Sequence, residues 1–248
     1  MLKRAVLLAA GRGTRLGALT ADRPKPMVPI LGLPVLEHIL LRLGTVGLSE
    51  FVLVVGYRAQ AIQDYFGDGA RWGWRISYVE QPVPNGTGAA LALARDLAGS
   101  EPILASYGDI LTDVANYRAL VDDFTAAPCA AVVGINEIED VSAGSAVYRE
   151  GRRVTQVVEK PPRGTAGSNW NLAGASIYSP AIWPCLASLK PSVRGEYELT
   201  EAIGALIASG QEVRASEFVG FWSDIGTPEA LREAEDHIAS ETPEGANS

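Results

Sequence analysis

Histidine and cysteine are nearly absent from this chain: two of each in 248 residues. Cys129 and Cys185 lie far apart with no metal-type spacing, which argues against both a zinc site and a disulfide framework. Both read as small core hydrophobes, in keeping with a reducing cytoplasm. His38 and His237 fall in helical patterns, so no histidine-based metal site or catalytic triad is expected. Long apolar runs are missing too, since none reaches the ~18–20 residues that span a bilayer. The opening stretch MLKRAVLLAAGRG has a short apolar run, AVLLAA, followed by a Gly/Arg cluster where a secretory signal would carry small residues for cleavage. It reads as a buried first strand. Positive charge is scarce: 21 Lys and Arg against 29 Asp and Glu give a net charge of −8. That balance argues against nucleic acid or an anionic membrane as partner. No repeat, low-complexity segment or linker interrupts the chain, so a single domain is expected over residues 1–240. The tail ETPEGANS, 241–248, is expected to be disordered.

What is present is a rhythm. Hydrophobic residues make up 47% of the chain, enough for one large α/β core. RAVLLAA (4–10), FVLVVGY (51–57), RISYVEQ (75–81), PILASYGDI (102–110) and CAAVVGINEI (129–138) predict strands. LPVLEHILLRLGTVG (33–47), AQAIQDYFGDG (59–69), GTGAALALARDLAG (86–99) and NYRALVDDFTAA (116–127) predict the helices between them. Strands spaced by helices argue for a parallel sheet with crossover helices. In such sheets ligands bind beyond the carboxyl ends of the strands. After residue 138 shorter strands follow (SAVYRE, GRRVTQVVEKP, LAGASIYSP), a small mixed-sheet extension. A helix is expected at ELTEAIGALIASG (198–210), one or two strands at 212–226, and a last helix over 227–240 with Thr227 as cap and Pro228 in its first turn.

The first strand runs into Gly11, Arg12, Gly13, Thr14 and Arg15. Two glycines let backbone N–H groups approach a ligand, and two arginines imply that the ligand is anionic. Lys25 follows between two prolines in RPKPM, in a stiffened loop. Asp109 lies, like the Gly/Arg cluster, at the end of a strand.

GRGTRL followed by RPKPM resembles the signature of the sugar-1-phosphate nucleotidyltransferases. EQPVPNGTGAAL (80–91), YGDIL (107–111), VVEKP (157–161), NLAGASIY (171–178), GEYELT (195–200) and WSDIGTPEAL (222–231) fall in the family's order. The resemblance spans residues 2 to about 232 and is greatest to thymidylyl- and uridylyltransferase members. It implies a single-domain Rossmann-like (GT-A-like) αβα sandwich with a mostly parallel central sheet. It implies a reaction in which a sugar-1-phosphate attacks the α-phosphorus of a nucleoside triphosphate, giving a nucleotide-sugar and pyrophosphate. Such chemistry is positioning plus electrostatics and needs no nucleophilic side chain.

The resemblance also implies roles. Gly11, Gly13, Thr14 and Arg15 hold the triphosphate, Lys25 stabilises the α-phosphate and the leaving pyrophosphate, and Asp109 and Asp224 ligate Mg²⁺. Gln81, Gly86 and Thr87 belong to the nucleotide side; Gly144, Glu159, Lys160, Asn171 and Gly174 belong to the sugar-phosphate side. Partners are the two substrates, with neither nucleic acid nor membrane, in a cytoplasmic protein that is a possible homo-oligomer. Tyr107 before the Gly-Asp pair and Ser145 after Gly144 depart from the family pattern. Many relatives carry a C-terminal β-helix domain, which this sequence does not include, so its second activity is not expected. Other readings are a mannose- or heptose-1-phosphate guanylyltransferase, a GT-A glycosyltransferase, which usually carries an Asp-x-Asp motif absent here, and a non-catalytic nucleotide-sugar binder. The Gln81 carboxamide has an acceptor and a donor side by side, which suits uracil, thymine or guanine, and cytosine if the amide flips. dTTP or UTP is favoured.

Overall fold

The computed structural model describes residues 2–241. Its strands are β1 (Arg4–Ala9), β2 (Pro29–Ile30), β3 (Leu33–Pro34), β4 (Glu50–Val55), β5 (Arg75–Glu80), β6 (Ile103–Tyr107), β7 (Ile110–Thr112), β8 (Ala131–Glu137), β9 (Ser145–Glu150), β10 (Arg153–Glu159), β11 (Trp170–Tyr178), β12 (Val213–Glu217) and β13 (Trp222–Asp224). Its helices are α1 (Val35–Thr45), α2 (Ala59–Phe66), α3 (Thr87–Leu93), α4 (Arg95–Ala98), α5 (Val114–Ala126), α6 (Ile182–Ala187), α7 (Leu199–Ala208) and α8 (Pro228–Glu241). Among the described residues, no helix is long and apolar enough to cross a membrane.

One nine-stranded sheet runs β5-β4-β1-β6-β11-β8-β12-β10-β9. Strands β5, β4, β1 and β6 are mutually parallel. The expectation of a mostly parallel sheet with a small mixed extension needs correction here. Strand β11 enters antiparallel between β6 and β8, inside the sheet, and β10 is antiparallel to both β12 and β9. The sheet is mixed through its centre. An apolar run such as LAGASIY is buried on both faces whichever way it points, so its composition carries burial but not direction.

Helices cover both faces, which makes three layers. Alternate residues of β1 explain why. Ala5, Leu7 and Ala9 join a core with α1, α5 and α8, while Val6 joins the other core with α3, α6 and α7. Cys129 and Cys185 are free, half-buried thiols packed at the edges of these cores. His38 is buried and bonded to the Ile30 carbonyl at 2.9 Å. His237 stacks on Phe221, with ring centroids 4.1 Å apart. Thr227 caps α8, its Oγ1 accepting from the Ala230 N–H at 3.2 Å. The α8 helix includes Glu241, one residue into the expected disordered tail; residues 242–248 lie outside the described residues.

Two boundaries matter for the site. The stretch 102–110 is not one strand: β6 stops at Tyr107, Gly108 and Asp109 turn, and β7 pairs with β13 in a separate ribbon. The helix expected over 86–99 breaks at Ala94 into α3 and α4.

Behind β4 and β5, Trp72 stacks on Trp74 with centroids 5.2 Å apart, and Phe51 meets Trp74 edge-on. The buried Glu37 of α1 accepts from the Tyr65 hydroxyl at 2.5 Å and from Trp72 Nε1 at 2.9 Å. This one carboxylate ties α1 to α2 and to the turn before β5. Glu37→Ala leaves both donors without their partner, so it is expected to lower unfolding free energy by about 2–4 kcal/mol. Urea denaturation checks this; a loss below about 0.5 kcal/mol would remove Glu37 from that role.

Candidate functional site

The carboxyl ends of β5, β4, β1 and β6 lie side by side, and the chain leaves each through a polar or glycine-rich turn. At the center, Lys25 donates from Nζ to Asp109 Oδ2 at 2.5 Å and to Asp224 Oδ1 at 2.7 Å. Arg15 donates to the other oxygen of Asp224 at 3.2 Å. The Lys25 side chain is only 8% exposed, against 67% for that of Arg15, so the lysine is built in while the arginine stands at the surface.

Local structure explains each placement. Lys25 begins a short 3₁₀ turn directly after Pro24. A Cβ on Gly13 would stand 2.6 Å from Lys25 Cβ, so only glycine lets the lysine pass inward there. Asp109 sits in the turn between β6 and β7. Asp224 ends β13, paired with Ile110 of β7, and the Ile225 N–H donates to the Asp109 carbonyl at 2.9 Å. A backbone ladder therefore brings the two carboxylates together. Burial pulls the Lys25 ammonium down, but the two carboxylates outweigh it and hold its pKa above the usual lysine value. Burial pushes the Asp109 carboxyl up, with the Lys25 charge opposing.

Two clefts meet at Asp109, and Thr87, Tyr107 and Glu196 also line both. One, of about 1430 Å³, is walled by Gly11, Arg12, Tyr57, Gln81 and Gly86. The other, of about 980 Å³, is walled by Gly144, Glu159, Lys160, Asn171, Gly174 and Trp222, and it also reaches Asp224. The residues expected on the nucleotide and sugar-phosphate sides thus separate into two spaces with a shared border. Gly13 and Thr14 line neither cleft: Gly13 packs on Lys25, and Thr14 is exposed at the start of the 3₁₀ helix Thr14–Thr20.

Several of these residues are committed inside the protein. Gln81 Nε2 donates to Asn85 Oδ1 at 3.2 Å and to the Gly86 carbonyl at 3.1 Å. A flipped amide would face two acceptors with its own oxygen, so the flip that would suit cytosine is disfavored. Buried Asn171 accepts from the Ser145 N–H and donates to Asn136 Oδ1 and the Leu172 carbonyl. Its amide hydrogens are spent on shaping the loop at Gly144. Glu159 accepts from the Ser145 hydroxyl at 2.7 Å and from Arg194 at 3.3 Å. Lys160, in contrast, is exposed with a φ of 40° and has no ion-pair partner among the described residues.

The GEYELT segment does more than its sequence suggests. Arg194, just before it, bonds Glu159, Glu196 and buried Glu198, and Glu196 borders both clefts. The Tyr197 N–H donates to the Asn85 carbonyl, and the Gly88 N–H donates to the Tyr197 carbonyl, both at 2.8 Å. Gly86 has a φ of 116°, and a Cβ there would stand 2.4 Å from the Tyr197 carbonyl oxygen. The neighbor that excludes a side chain at Gly86 is therefore this backbone. Arg194 and Glu196 were not assigned from sequence, the only signal being their position inside or beside the quoted motifs; Arg12 was read as one of two arginines facing an anion but was given no role. Gly86→Ala is expected to cost about 2–3 kcal/mol of stability through strain and backbone collision. A melting temperature unchanged from that of the parent would mean that the two segments part easily.

Comparison with known proteins follows the same lines. The chain is 36% identical to the UTP–glucose-1-phosphate uridylyltransferase AglF of Haloferax volcanii, over 96% of this chain and 98% of that one. It is 34% identical to the glucose-1-phosphate thymidylyltransferase of Streptomyces griseus, over 90% of this chain and 62% of that one. It is also 34% identical to the low-salt glycan biosynthesis nucleotidyltransferase Agl11 of Haloferax volcanii, of which it spans 64%. A UDP-glucose pyrophosphorylase solved with UDP-glucose superposes with a TM-score of 0.87 at 26% identity, covering 98% of this chain and all of that one. The family model described as nucleotidyl transferase matches residues 4–241, the span that builds both clefts and the Lys25–Asp109–Asp224 center; the chain belongs to the nucleotidyl transferase family.

Proposed function

We propose that the protein transfers a nucleoside monophosphate from a nucleoside triphosphate to a sugar-1-phosphate, releasing pyrophosphate. The observation that carries this reading is the junction of two clefts at Asp109, beside the buried Lys25 ammonium. One cleft takes the triphosphate and the other the sugar phosphate, so the two reactants face each other across that border. An oxygen of the sugar phosphate attacks the α-phosphorus, and the bond to the pyrophosphate breaks. Two polyanions must be held together while charge builds on the leaving oxygens, so fixed cations do the work. Lys25 supplies one of them at the junction. Lys160, without a carboxylate partner among the described residues, takes the sugar phosphate, and Glu159 accepts from sugar hydroxyls.

Asp109 and Asp224 would hold Mg²⁺. Their oxygens already converge on one cation, the Lys25 ammonium, and two carboxylates completed by substrate phosphates and water suit this metal. When bound, Mg²⁺ supplies charge neutralization on the phosphate oxygens. Lys25, at the same point, would hold the phosphates beside the carboxylates.

The base is read by Gln81. With its nitrogen held by Asn85 and Gly86, its Oε1 is the atom left to accept an imino N–H from uracil or thymine. Guanine presents an imino N–H as well. The names of the uridylyl- and thymidylyltransferase relatives support UTP or dTTP, with glucose-1-phosphate as the first sugar to try. The GT-A glycosyltransferase and non-catalytic readings are not favored beside these relatives.

Assaying pyrophosphate release for five triphosphates against a panel of sugar-1-phosphates tests the reading. Release is expected with UTP or dTTP and is expected to stop with excess chelator. No release in any combination would overturn it, and a kcat/KM for GTP more than about tenfold above both pyrimidines would overturn the base assignment. Asp109→Asn is expected to lower kcat by at least ~10²-fold. Lys160→Ala is expected to raise KM for the sugar phosphate several-fold and leave KM for the triphosphate within about twofold; equal effects on both would mean that the clefts are misassigned.

A further inference from the structure

A group of metal-ligating side chains lies outside the site described above. Asp113 stands at the N-terminus of α5, directly after β7, and His237 and Glu241 lie one turn apart on the same face of α8. His237 Nε2 donates to Asp113 Oδ1 at 2.8 Å and lies 3.4 Å from Glu241 Oε1. One ligand atom from each of the three residues is within 4.8 Å of the other two. The second oxygen of each carboxylate is already held. Asp113 Oδ2 accepts from the Phe221 N–H at 2.9 Å, and Glu241 Oε2 accepts from Arg42 at 2.6 Å. The imidazole is fixed by Phe221, which stacks on it with the ring planes 8° apart. None of the three residues lines either cleft. Asp113 and His237 are 124 residues apart, so no spacing along the chain reveals the group.

We infer that Asp113, His237 and Glu241 form a second cation site, separate from the Asp109–Asp224 pair, for a divalent transition ion of the Zn²⁺ type. An imidazole nitrogen with two carboxylate oxygens suits Zn²⁺, whereas Mg²⁺ and Ca²⁺ favor oxygen alone. Ligand atoms bonded to a tetrahedral zinc ion stand about 3.3 Å from one another. The separations of 2.8 and 3.4 Å from His237 Nε2 lie close to that value, so small side-chain shifts admit the ion. Water takes the fourth position. As the ion binds, the Nε2 proton leaves to solvent, and the nitrogen lone pair and the two facing oxygens become ligands. The Phe221 N–H and Arg42 hold the outer oxygens, which is how ligating carboxylates are kept in orientation. Arg42 offsets one of the two carboxylate charges, so the site draws a cation with one net negative charge. Its place in the fold gives the ion a structural role. The Asp113 N–H also donates to the Phe221 carbonyl at 3.2 Å, so these two residues close the β7–β13 ribbon at the end away from Asp224. The ion ties α8 to that end of the ribbon and touches no substrate.

The test uses the full chain without an affinity tag, stripped of metal with chelator and desalted. Zinc chloride is titrated calorimetrically into the parent and into Asp109→Asn, which takes a carboxylate from the other center. A saturable site with one ion per chain is expected to persist in Asp109→Asn. His237→Gln and Glu241→Gln, each made in both proteins, are expected to weaken that site about tenfold or more. Saturating Zn²⁺ is expected to raise the melting temperature of the parent and not that of His237→Gln. Co²⁺ in place of Zn²⁺ is expected to give the visible absorption of a four-coordinate ion, lost in His237→Gln. Glu241 is exposed at the end of α8, so Glu241→Gln still decides the matter if His237→Gln fails to fold. No saturable binding in Asp109→Asn overturns the inference, and so does equal Zn²⁺ affinity with and without His237 or Glu241. Either result leaves the three residues as a hydrogen-bonded ion-pair cluster.

Discussion

One ammonium holds the candidate site together. Lys25 reaches Asp109 and Asp224 at once, across 84 and 199 residues of chain. Two carboxylates this close in a partly buried setting repel each other, and each would be costly to desolvate alone. The lysine makes their proximity tolerable. It is also held by its surroundings: Gly13 leaves the space it passes through, and Pro24 and Pro26 stiffen the backbone on either side. The rest of the fold can be seen as the apparatus that delivers three charges to one point. Strand β1 presents the glycine loop, the turn after β6 presents Asp109, and the β7–β13 ribbon carries Asp224 alongside.

Around this center the charges are shared out unevenly. Arg194 is tied to three glutamates and Arg15 to Asp224, whereas Arg12 and Lys160 have no carboxylate partner among the described residues. Of the paired cations, Arg194 shapes the wall of the cleft that holds Glu159. The segment 194–198 belongs to both clefts, through Arg194 on Glu159 and through the Tyr197 backbone against Asn85 and Gly88.

Much of this was legible in the sequence because it is local. The apolar runs of the first half gave β1, β4, β5 and β8 to within about two residues, while 102–110 ran past the end of β6; the glycine loop and Asp109 stood out at strand ends, and Lys25 in its proline-flanked loop. The parts that were not legible depend on distant partners. The direction of β11 is set by its neighbors β6 and β8, not by its own alternation. Asn171 looked like a sugar contact, but its amide hydrogens are spent on Asn136 and Leu172, a bond pattern no single segment reveals. Gly86 was placed on the nucleotide side, and the contact that requires a glycine there lies over a hundred residues away in the Tyr197 backbone. Of the residues assigned through family resemblance, Gly11, Gln81 and Gly86 line one cleft, Gly144, Glu159, Lys160, Asn171, Gly174 and Asp224 line the other, Thr87 and Asp109 line both, and Gly13, Thr14, Arg15 and Lys25 line neither.

The register of the β7–β13 ribbon has a consequence for how the molecule comes into being. Trp222 pairs with Thr112, Ser223 with Leu111 and Asp224 with Ile110, and the Ile225 N–H closes on Asp109. During synthesis the glycine loop, Lys25 and Asp109 emerge early, and the strand that completes their charge balance comes some two hundred residues after the lysine. Until then a lysine and an aspartate face each other at the end of an unfinished sheet. Non-local pairings of this kind form late because their loop-closure cost must be met before they return any stability. A fragment ending before residue 222 would lack Trp222 of the second cleft, the α8 helix of the core and Asp224 of the center, and would leave Lys25 with Asp109 alone.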